Sequence, residues 1–325
     1  MNVLIVIRSK IPVFSYGGTQ RVMWSLGKEL ALMGHQVSFL AAEGSECPFG
    51  KMYIYNPNIP VADQIPDDVD VVHFNDFVPE GFNKKPYIVT FHGNRINEPI
   101  DKNAVFVSGN HAKRFNSESF VYNGLDWRDY GKIDINGSRD YFHFLAKAAW
   151  RVKNVRGSID MIKQMPNEQL YVLGGYRFNF KMGMRFTFTP KARFKGMVGG
   201  EEKINYLTHS KGLFFPVLWD EPFGLAVIES LFCGAPVFAT TYGSLPELVR
   251  EDVGFLSNSK DELVSHILND YHYSPKVCHE YAADMFSSKV MAEAYLKKYE
   301  TVLAGKDLNS ELPTAIAPNN RYKFE

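Results

Sequence analysis

Short apolar runs rich in β-branched and aromatic residues alternate with helical patterns along most of this 325-residue chain. The apolar runs are continuous, which is typical of parallel strands that helices cover on both faces. The predicted strands are VLIVI, QVSFLAA, VDVVHFN, PYIVTFHG, AVFVSG and SFVYNG in the first half, and YFHFLA, QLYVLGG, ARFKGMV, GLFFPV and APVFAT in the second. The first helix is expected from about Thr19 to Met33, with Gly34 as its stop signal. This alternation predicts an α/β fold.

The alternation is interrupted once, by the polar and turn-rich stretch VYNGLDWRDYGKIDINGSRD. A chain of this length is long for one domain and suits two, so we predict two doubly wound domains. The expected boundaries are 1–125, 126–285, a helix at 286–303 that packs back toward the first domain, and a poorly packed tail at 304–325. In such folds ligands bind at the carboxyl ends of the strands, so the loops after the strands hold the candidate sites.

Charge and cysteine usage exclude several classes of function. Lysine plus arginine and aspartate plus glutamate both number 36, so no global field attracts nucleic acid or anionic membrane. The three cysteines (Cys47, Cys233 and Cys278) have no CxxC spacing, which disfavours zinc and disulfide frameworks. MNVLIVIRSK has no basic residue ahead of its short apolar run and indicates a first strand rather than a signal peptide. We expect a cytoplasmic protein, with peripheral contact at the inner face of the membrane at most.

The segment WDEPFGLAVIES contains the strongest functional signal, two glutamates eight positions apart. Pro222 suits the first turn of a helix, and Glu221 precedes that turn. The amides expected to face outward at the positive helix end are those of Phe223, Gly224 and Leu225. At about 1.5 Å per residue, Glu229 would lie about 12 Å further along, the separation of a sugar hydroxyl and a ribose joined through two phosphates. An unpaired Glu229 among apolar neighbours would be costly, which favours a ligand-binding role.

Two further loops could hold an anion. Gly17 and Gly18 stand at the mouth of the first helix, where backbone amides can approach a phosphate. The G-x-G-x-x-G fingerprint of dinucleotide-binding proteins is absent there, and a plain helix-entry turn is an equal alternative. The stretch after the first strand of the second half offers four cations that suit a pyrophosphate leaving group, or equally a solvated basic face. These are Lys147, Arg151, Lys153 and Arg156.

Two other features stay open on the residues alone. His92 lies just past a predicted strand and could point at a ligand, but His73 and His111 also follow strands, and an isolated histidine is more often structural. The stretch YRFNFKMGMRFTFTPKARFK has six basic residues, no acidic ones and many aromatic rings. It could grip phosphate or lipid headgroups, and a mobile basic loop is the slightly favoured alternative.

Taken together, these motifs resemble a retaining family 4 glycosyltransferase of the GT-B fold, with two Rossmann-like domains facing a central cleft. The resemblance runs from the first strand to about Val249. It comprises the GG loop, FHG, VYNGLD, a basic K…KN turn, LYVLGG, KGMV and EPFGLAVIES…CGAPV. The last of these is the specific E-x7-E signature of the family, and the others fall in the expected order.

The resemblance implies roles for individual residues. Glu229 would bind the ribose, Glu221 would hold hydroxyls of the donor sugar, and His92 would line the reaction centre, which makes Glu221 and His92 the catalytic candidates. Lys147 and Lys153 would face the pyrophosphate. The full set implied to bind the donor is Gly17, Gly18, Lys147, Lys153, Gly196, Met197, Val198, Phe223, Gly224, Leu225 and Glu229, with the backbone of Gly196 to Val198 meeting the base.

The chain departs from the family at two positions of the basic turn. Lys147 stands where an arginine is usual, and Arg151 is close enough to be the alternative. Asn154 stands where the family usually has glycine.

The implied activity is transfer of a hexose from a nucleotide diphosphate donor, expected to be a UDP- or GDP-sugar, to a hydroxyl group with retained anomeric configuration. The acceptor would be a glycan or a lipid-linked glycan in cell-surface polysaccharide synthesis. A front-face mechanism without metal or other cofactor is expected, because cations and helix amides replace the metal. The alternatives are a GT-B-like sugar-nucleotide epimerase or hydrolase, and a catalytically silent sugar-nucleotide binding protein.

Overall fold

The computed structural model describes residues 1–13, 17–94, 100–180, 184–269, 272–316 and 322–325. The chain divides into two compact units. The first unit comprises Met1–Trp127 and Phe286–Ala317, and the second comprises Arg128–Met285 and Pro318–Glu325.

The first unit is built on a six-stranded parallel sheet in the order β3-β2-β1-β4-β5-β6. Its strands are β1 Asn2–Ile7, β2 Gln36–Ala41, β3 Lys51–Ile54, β4 Val71–Asn75, β5 Tyr87–Phe91 and β6 Ala104–Phe106. Its first helices are α1 Gly18–Leu32 and α2 Gly109–Lys113, with a 3-10 turn at Val61–Gln64. The central strands are buried on both faces, which explains their continuous apolar sequences.

The second unit repeats this plan with a sheet in the order β11-β8-β7-β12-β13-β14, again parallel throughout. Its strands are β7 Tyr141–Leu145, β8 Leu170–Leu173, β9 Phe178–Asn179, β10 Arg185–Phe186, β11 Ala192–Phe194, β12 Ser210–Phe215, β13 Val237–Ala239 and β14 Gly254–Leu256. Its helices are α3 Val155–Gln164, α4 Gly200–Thr208, α5 Leu225–Phe232, α6 Leu245–Leu248, α7 Lys260–Leu268 and α8 Pro275–Met285, with 3-10 turns at Trp127–Tyr130 and Arg151–Lys153.

The last helix, α9 Ser288–Leu303, belongs to the first unit. Its Tyr295 and Tyr299 are fully buried and donate or accept hydrogen bonds on β4 and β5. The Tyr295 hydroxyl lies 2.9 Å from Thr90 Oγ1, and the Tyr299 hydroxyl lies 2.8 Å from His73 Nδ1. Ser288 also donates to Glu29 of α1 at 2.8 Å. The helix therefore completes the core of the first unit.

Both sheets have the same topology. In each, the chain adds strands on one side of the first strand, then crosses back and adds the remaining strands on its other side. The order reverses between β1 and β4 in the first unit and between β7 and β12 in the second. This confirms the predicted doubly wound α/β fold. The carboxyl ends of these four strands are therefore where a ligand is expected.

Strand assignment was wrong in places. SFVYNG is not a strand. It pairs with β6 only through one isolated bridge, between Phe120 and Phe106. The prediction missed β3, β14 and the β9–β10 hairpin. β3 and β14 have only four and three residues, too few to give a periodic signal.

The tail expected at 304–325 is exposed over most of residues 304–316, with Leu312 58% and Ile316 54% exposed, but specific hydrogen bonds hold it. Asn309 donates to the carbonyls of Lys102 and Ala104 at 2.8 and 3.0 Å, and the Thr314 amide donates to Phe115 at 3.0 Å. These contacts fix the tail through backbone groups, and such contacts leave no apolar period in the sequence. None of the helices in the described ranges has the length and apolar character needed to cross a membrane.

The described parts of the basic, aromatic stretch form two paired strands on either side of residues 181–183, which lie outside the described residues. β9 and β10 pair antiparallel, with Phe178 opposite Phe186. The Arg177 guanidinium donates to the carbonyls of Thr187, Thr189 and Ala192 at 2.9, 3.0 and 2.7 Å. These bonds tie both hairpin strands to the start of β11.

Candidate functional site

The carboxyl ends of β7 and β12 bring together two of the predicted site segments in the second unit. The chain leaves β7 through Lys147 into the 3-10 turn Arg151–Lys153, and it leaves β12 toward Trp219 and Glu221. Both segments lie where the strand order reverses, which is the expected ligand position for this topology.

Glu221 is the centre of this arrangement. Its Oε2 accepts a charge-assisted hydrogen bond from Lys153 Nζ at 2.6 Å and another from Trp219 Nε1 at 2.7 Å. The Lys153 ammonium also lies 4.7 Å from the Trp219 ring centroid and 5.3 Å from that of Phe215. Trp219 stands two positions before Glu221 and is not among the predicted site residues. No other residue in the described part of the chain hydrogen-bonds this carboxylate, so its Oε1 can accept from a hydroxyl group.

The backbone of Glu221 is fixed by the turn before α6. The Ser244 amide donates to the Glu221 carbonyl at 2.9 Å. Gly243 has a φ of +66°, and a Cβ at this position would lie 2.2 Å from the Glu221 nitrogen. Glycine is required here, because any side chain would push Glu221 away.

The helix after Glu221 begins later than the sequence predicts. α5 starts at Leu225, and Gly224 is its N-cap with a φ of +104°. Pro222 and Phe223 therefore lie outside the helix, and Phe223 is buried, with its carbonyl accepting from Ser244 Oγ at 2.5 Å. The left-handed backbone at Gly224 is the reason, since a helix cannot continue through it. The expected helical spacing of the two glutamates does not apply to residues 221–224.

Glu229 has partners that the sequence did not reveal. Within α5 it is 3% exposed, and its Oε1 accepts hydrogen bonds from Lys203 of α4 and from the Tyr130 hydroxyl. The prediction that a structural role would leave Glu229 unpaired is therefore wrong. Lys203 and Tyr130 come from distant parts of the chain, so no local pattern points to them. A ribose-binding role for Glu229 stays a prediction.

A buried histidine joins α5 to the sheet beside Glu229. His143 of β7 has Nδ1 2.6 Å from Ser210 Oγ and Nε2 2.8 Å from Ser230 Oγ. Complete burial lowers the pKa of His143 to about 3, so its ring is neutral at pH 7. This neutral bridge fixes the helix position from which Glu229 projects.

The three cations of the basic turn differ in exposure. The Lys153 side chain is 12% exposed and pairs with Glu221. Lys147 is half-buried with its ammonium 5.7 Å from the Trp150 ring centroid, and Arg151 is exposed. Asn154 has a φ of +52°, a conformation that glycine and asparagine adopt most readily. Its side chain also caps α3 by accepting from the Gly157 amide at 3.0 Å. This explains how asparagine replaces the family's usual glycine.

The segment predicted to meet the base directly follows β11. Gly196 has a φ of +75°, and its carbonyl accepts from the Gly174 amide at 2.7 Å. Met197 is exposed and Val198 is buried. Like the loops after β7 and β12, this segment therefore leaves a strand at its carboxyl end.

In the first unit, His92 follows β5 and is held by the end of β4. The His92 amide donates to Asp76 Oδ1 at 2.9 Å, and its Nε2 lies 2.8 Å from Asn75 Oδ1. The Asn75 amide group donates to the Val6 carbonyl at 3.1 Å, which orients Oδ1 toward the histidine. Nε2 therefore carries the proton, and Nδ1 is the acceptor nitrogen. Burial lowers the pKa of His92, so the ring is neutral at pH 7.

The other two histidines were expected to follow strands, but His73 lies within β4 and His111 lies in α2, and both are structural. His73 is fully buried between Tyr299 and Thr90, and His111 is fully buried with Nε2 3.1 Å from the Gly93 carbonyl. Burial lowers the pKa of each to about 3. Among the three, His92 alone is partly exposed.

The predicted glycine pair lies at the start of α1. Gly17 is the N-cap with a φ of +151°, and its carbonyl accepts from the Arg21 amide at 3.1 Å. A Cβ on Gly17 would lie 2.8 Å from Val13 and from Gln20, so a larger residue does not fit. Gly18 is the first residue of the helix.

Known sequences match part of the chain. The family model for glycosyl transferases group 1 matches residues 127–283. An uncharacterized 41.2 kDa protein in the cps region of Klebsiella pneumoniae is 29% identical over 33% of this chain and 32% of its own length. The O-antigen chain mannosyltransferase B of Escherichia coli is 32% identical over 36% of this chain and 33% of its own length. These alignments span about a third of each relative.

Solved structures match both units. AviGT4, a glycosyltransferase involved in avilamycin A biosynthesis, superposes with a TM-score of 0.74 at 20% identity, covering 94% of this chain and 98% of that chain. Anabaena Alr3699/HepE in complex with UDP and glucose has a TM-score of 0.63 at 15% identity, covering 93% of this chain and 100% of that chain. At these identities the likeness shows the fold. Residues 127–283, just under half of this chain, match the family model for glycosyl transferases group 1, and the two units have the GT-B fold.

Proposed function

We propose that this protein is a hexosyltransferase that moves a sugar from a nucleotide diphosphate donor, a UDP- or GDP-sugar, to a hydroxyl group with retained configuration. The proposed acceptor is a glycan or lipid-linked glycan of cell-surface polysaccharide, and the proposed location is the cytoplasm. The names of the relatives support this direction, since one is an O-antigen mannosyltransferase and another is a protein of a cps region. The HepE structure contains UDP and glucose, which supports a nucleotide-sugar donor.

The observation that supports the proposal most strongly is the environment of Glu221. One carboxylate oxygen is held by Lys153 and Trp219, so the side chain is fixed before any ligand arrives. The other oxygen is the acceptor for a donor-sugar hydroxyl. Binding to a carboxylate that is already oriented avoids the entropy cost of ordering it.

The same cluster can stabilise the leaving group. Negative charge grows on the diphosphate as its bond to the sugar breaks, and fixed cations lower the energy of that transition state. Lys153 and Lys147 are the proposed cations, together with the amino end of α5, which begins four residues after Glu221. We propose that no metal is required, and that the departing phosphate accepts the proton of the attacking hydroxyl on the same face of the sugar.

A thermal-shift screen against UDP-, GDP-, ADP- and TDP-sugars tests the proposal. A donor present at about 100 times its dissociation constant stabilises the fold by about 2.7 kcal/mol. We expect one nucleotide class to raise the melting temperature, and Glu221→Gln to weaken the shift for the sugar nucleotide more than for the bare nucleotide.

The outcomes separate the alternatives. If no nucleotide sugar changes the melting temperature, the proposal is wrong. Donor consumption without an acceptor would instead indicate an epimerase or hydrolase, and tight binding without turnover across varied acceptors would indicate a silent binding protein.

A further inference from the structure

Residues 176–180 and 184–188 form a hairpin, called here the aromatic hairpin. Its apolar side chains face solvent, and polar side chains lie on its inner face. Strands that cover a core normally turn apolar side chains inward and polar ones outward. Here every second residue is exposed, and the exposed ones are apolar, with exposures from 47% at Phe178 to 80% at Phe188. They are Tyr176, Phe178, Phe180, Met184, Phe186 and Phe188. Four of the five exposed phenylalanines in the described part of the chain lie on this one face.

The inward face is polar and well bonded. Arg185 is 7% exposed and donates to the Tyr176 carbonyl at 2.9 Å and to Thr187 Oγ1 at 3.1 Å. Arg177 donates to three carbonyls, and Arg156 of α3 donates to the Met184 carbonyl at 3.1 Å. The arginines therefore hold the hairpin in the orientation that exposes its rings.

The exposed rings form one cluster. The Phe178 and Phe186 centroids lie 5.9 Å apart, Phe178 and Phe188 6.0 Å, and Phe180 and Phe186 5.7 Å. A contiguous exposed aromatic patch that is surrounded by polar residues is typical of an interaction site.

The surroundings of the cluster are basic. From Gln169 to Gly200 the sequence contains six lysines and arginines and no acidic residue, although the whole chain has no net charge. A groove of about 490 Å³ adjoins the rings and is lined by Tyr176, Arg177, Phe178, Arg193, Phe194 and Lys195. In the groove the Lys195 ammonium lies 4.6 Å from the Tyr171 ring centroid. Cations at this distance from rings suit phosphate groups beside an apolar phase.

We propose that the aromatic hairpin docks this protein on an anionic lipid bilayer. The rings of Phe178, Phe180, Phe186 and Phe188 enter the boundary between headgroups and acyl chains, and Arg193 and Lys195 contact lipid phosphates. Aromatic side chains favour this interfacial depth, and basic side chains are attracted to the negative surface. A second copy of the chain fits poorly, because pairing two hairpins would bring two strongly basic surfaces together.

Co-sedimentation of the full chain with vesicles tests the proposal. We expect binding to mixed phosphatidylcholine–phosphatidylglycerol vesicles, with an affinity on the order of tenfold or more above that for phosphatidylcholine alone, and weaker binding in high salt. Phe180→Ser/Phe188→Ser should lower the affinity for the mixed vesicles on the order of tenfold or more, because the apolar contact is lost. Arg193→Gln/Lys195→Gln should remove most of the preference for anionic lipid.

The matched control is Leu268→Ser/Met285→Ser, which removes two exposed apolar side chains elsewhere in the same unit and should leave binding unchanged. Unchanged melting temperatures would show that the serine variants fold. Phe188→Trp gives a second measurement that needs no destabilising change, since brominated lipid should quench its added fluorescence.

Absence of binding to anionic vesicles would overturn the proposal, as would equal binding by Phe180→Ser/Phe188→Ser. A concentration-dependent dimer that this variant abolishes, without vesicle binding, would assign the hairpin to self-association instead. None of these measurements depends on enzymatic activity.

Discussion

At the scale of single residues, each signature glutamate is buried and has a lysine of its own. Glu221 pairs with Lys153, and Glu229 pairs with Lys203. Removing one partner of a buried pair leaves an uncompensated charge, which is more costly than the pair itself is stabilising. Substitutions at these positions therefore change stability as well as binding, and their tests must separate the two effects.

Glu229→Gln should lower nucleotide affinity by about 1.5–3 kcal/mol, the range for hydrogen bonds to a charged group. The same change leaves Lys203 buried without its counter-charge and should lower the free energy of unfolding. Adding Lys203→Met should recover stability without recovering affinity. Calorimetric titration and urea unfolding of both variants separate these effects, with exposed Glu202→Gln as the control. Unchanged nucleotide affinity in folded Glu229→Gln would reject the ribose role.

Lys153→Ala should lower kcat/KM more than Lys147→Arg, since arginine still supplies a cation at the second position. The structure adds a reason, because Lys153 also holds Glu221 in place. Steady-state kinetics with the identified donor measures the difference. Arg151→Ala should have the smallest effect, given the exposure of Arg151. If it proves the most damaging, Arg151 rather than Lys147 fills the family's arginine position.

At the scale of elements, the turn before α6 holds Glu221 through Gly243. Gly243→Ala should destabilise the protein by more than the cost of a left-handed alanine, about 1–2 kcal/mol, because its Cβ would also meet the backbone of Glu221. Donor affinity should fall with it. Gly305→Ala is the matched control, since Gly305 has a φ of +72° and open space around it. Equal losses of stability in the two variants, measured by thermal unfolding, would show that the clash is relieved without moving Glu221.

Elements with a strong hydrophobic period could be predicted from the sequence. Short elements, and those whose limits depend on the backbone conformation of a neighbouring turn, could not. The first helix differs from its prediction by one residue at each end, because its apolar stripe and Gly34 define it locally. The start of α5 was misplaced by three residues, since Pro222 favours a first turn but the backbone at Gly224 turns left-handed. The hairpin residues 176–180 and 184–188 do alternate between apolar and polar, but the apolar ones are exposed, which is the reverse of a strand that covers a core.

The site divides in the same way. Glu221 and Lys153 meet because each follows a strand at the point where the sheet order reverses, which topology predicts. The pairing of Glu229 with Lys203 and Tyr130 joins three separate elements and has no local signal. The sequence can therefore predict which residues gather at the carboxyl ends of the strands, but not which of them form ion pairs or hydrogen bonds with one another.

At the scale of the whole molecule, three fully buried histidines predict how stability depends on pH. Burial lowers the pKa of His73, His111 and His143 to about 3, against an unfolded value of about 6.5. Between these values the unfolded chain binds more protons, so stability is fully present above pH 6.5 and falls as the pH drops. From about pH 6.5 to 5.5 each histidine should remove about 1 kcal/mol from the free energy of unfolding.

Urea unfolding across this pH range measures the loss, and the histidine ring resonances give an independent check by NMR. The three buried rings should show no titration near pH 6.5. Resonances that titrate there would mean that these histidines are open to solvent, and stability would then not depend on them.

The most direct test of the proposed activity is the anomeric configuration of the product. With the donor class known from the thermal-shift screen, the purified protein and a hydroxyl acceptor are followed by proton NMR in excess EDTA. We expect early product with the configuration of the donor sugar and a rate unchanged by the chelator, because we propose that Lys147, Lys153 and the amino end of α5 meet the diphosphate charge. An inverted product would contradict the retaining mechanism, and activity lost in EDTA and restored by magnesium or manganese would contradict metal independence.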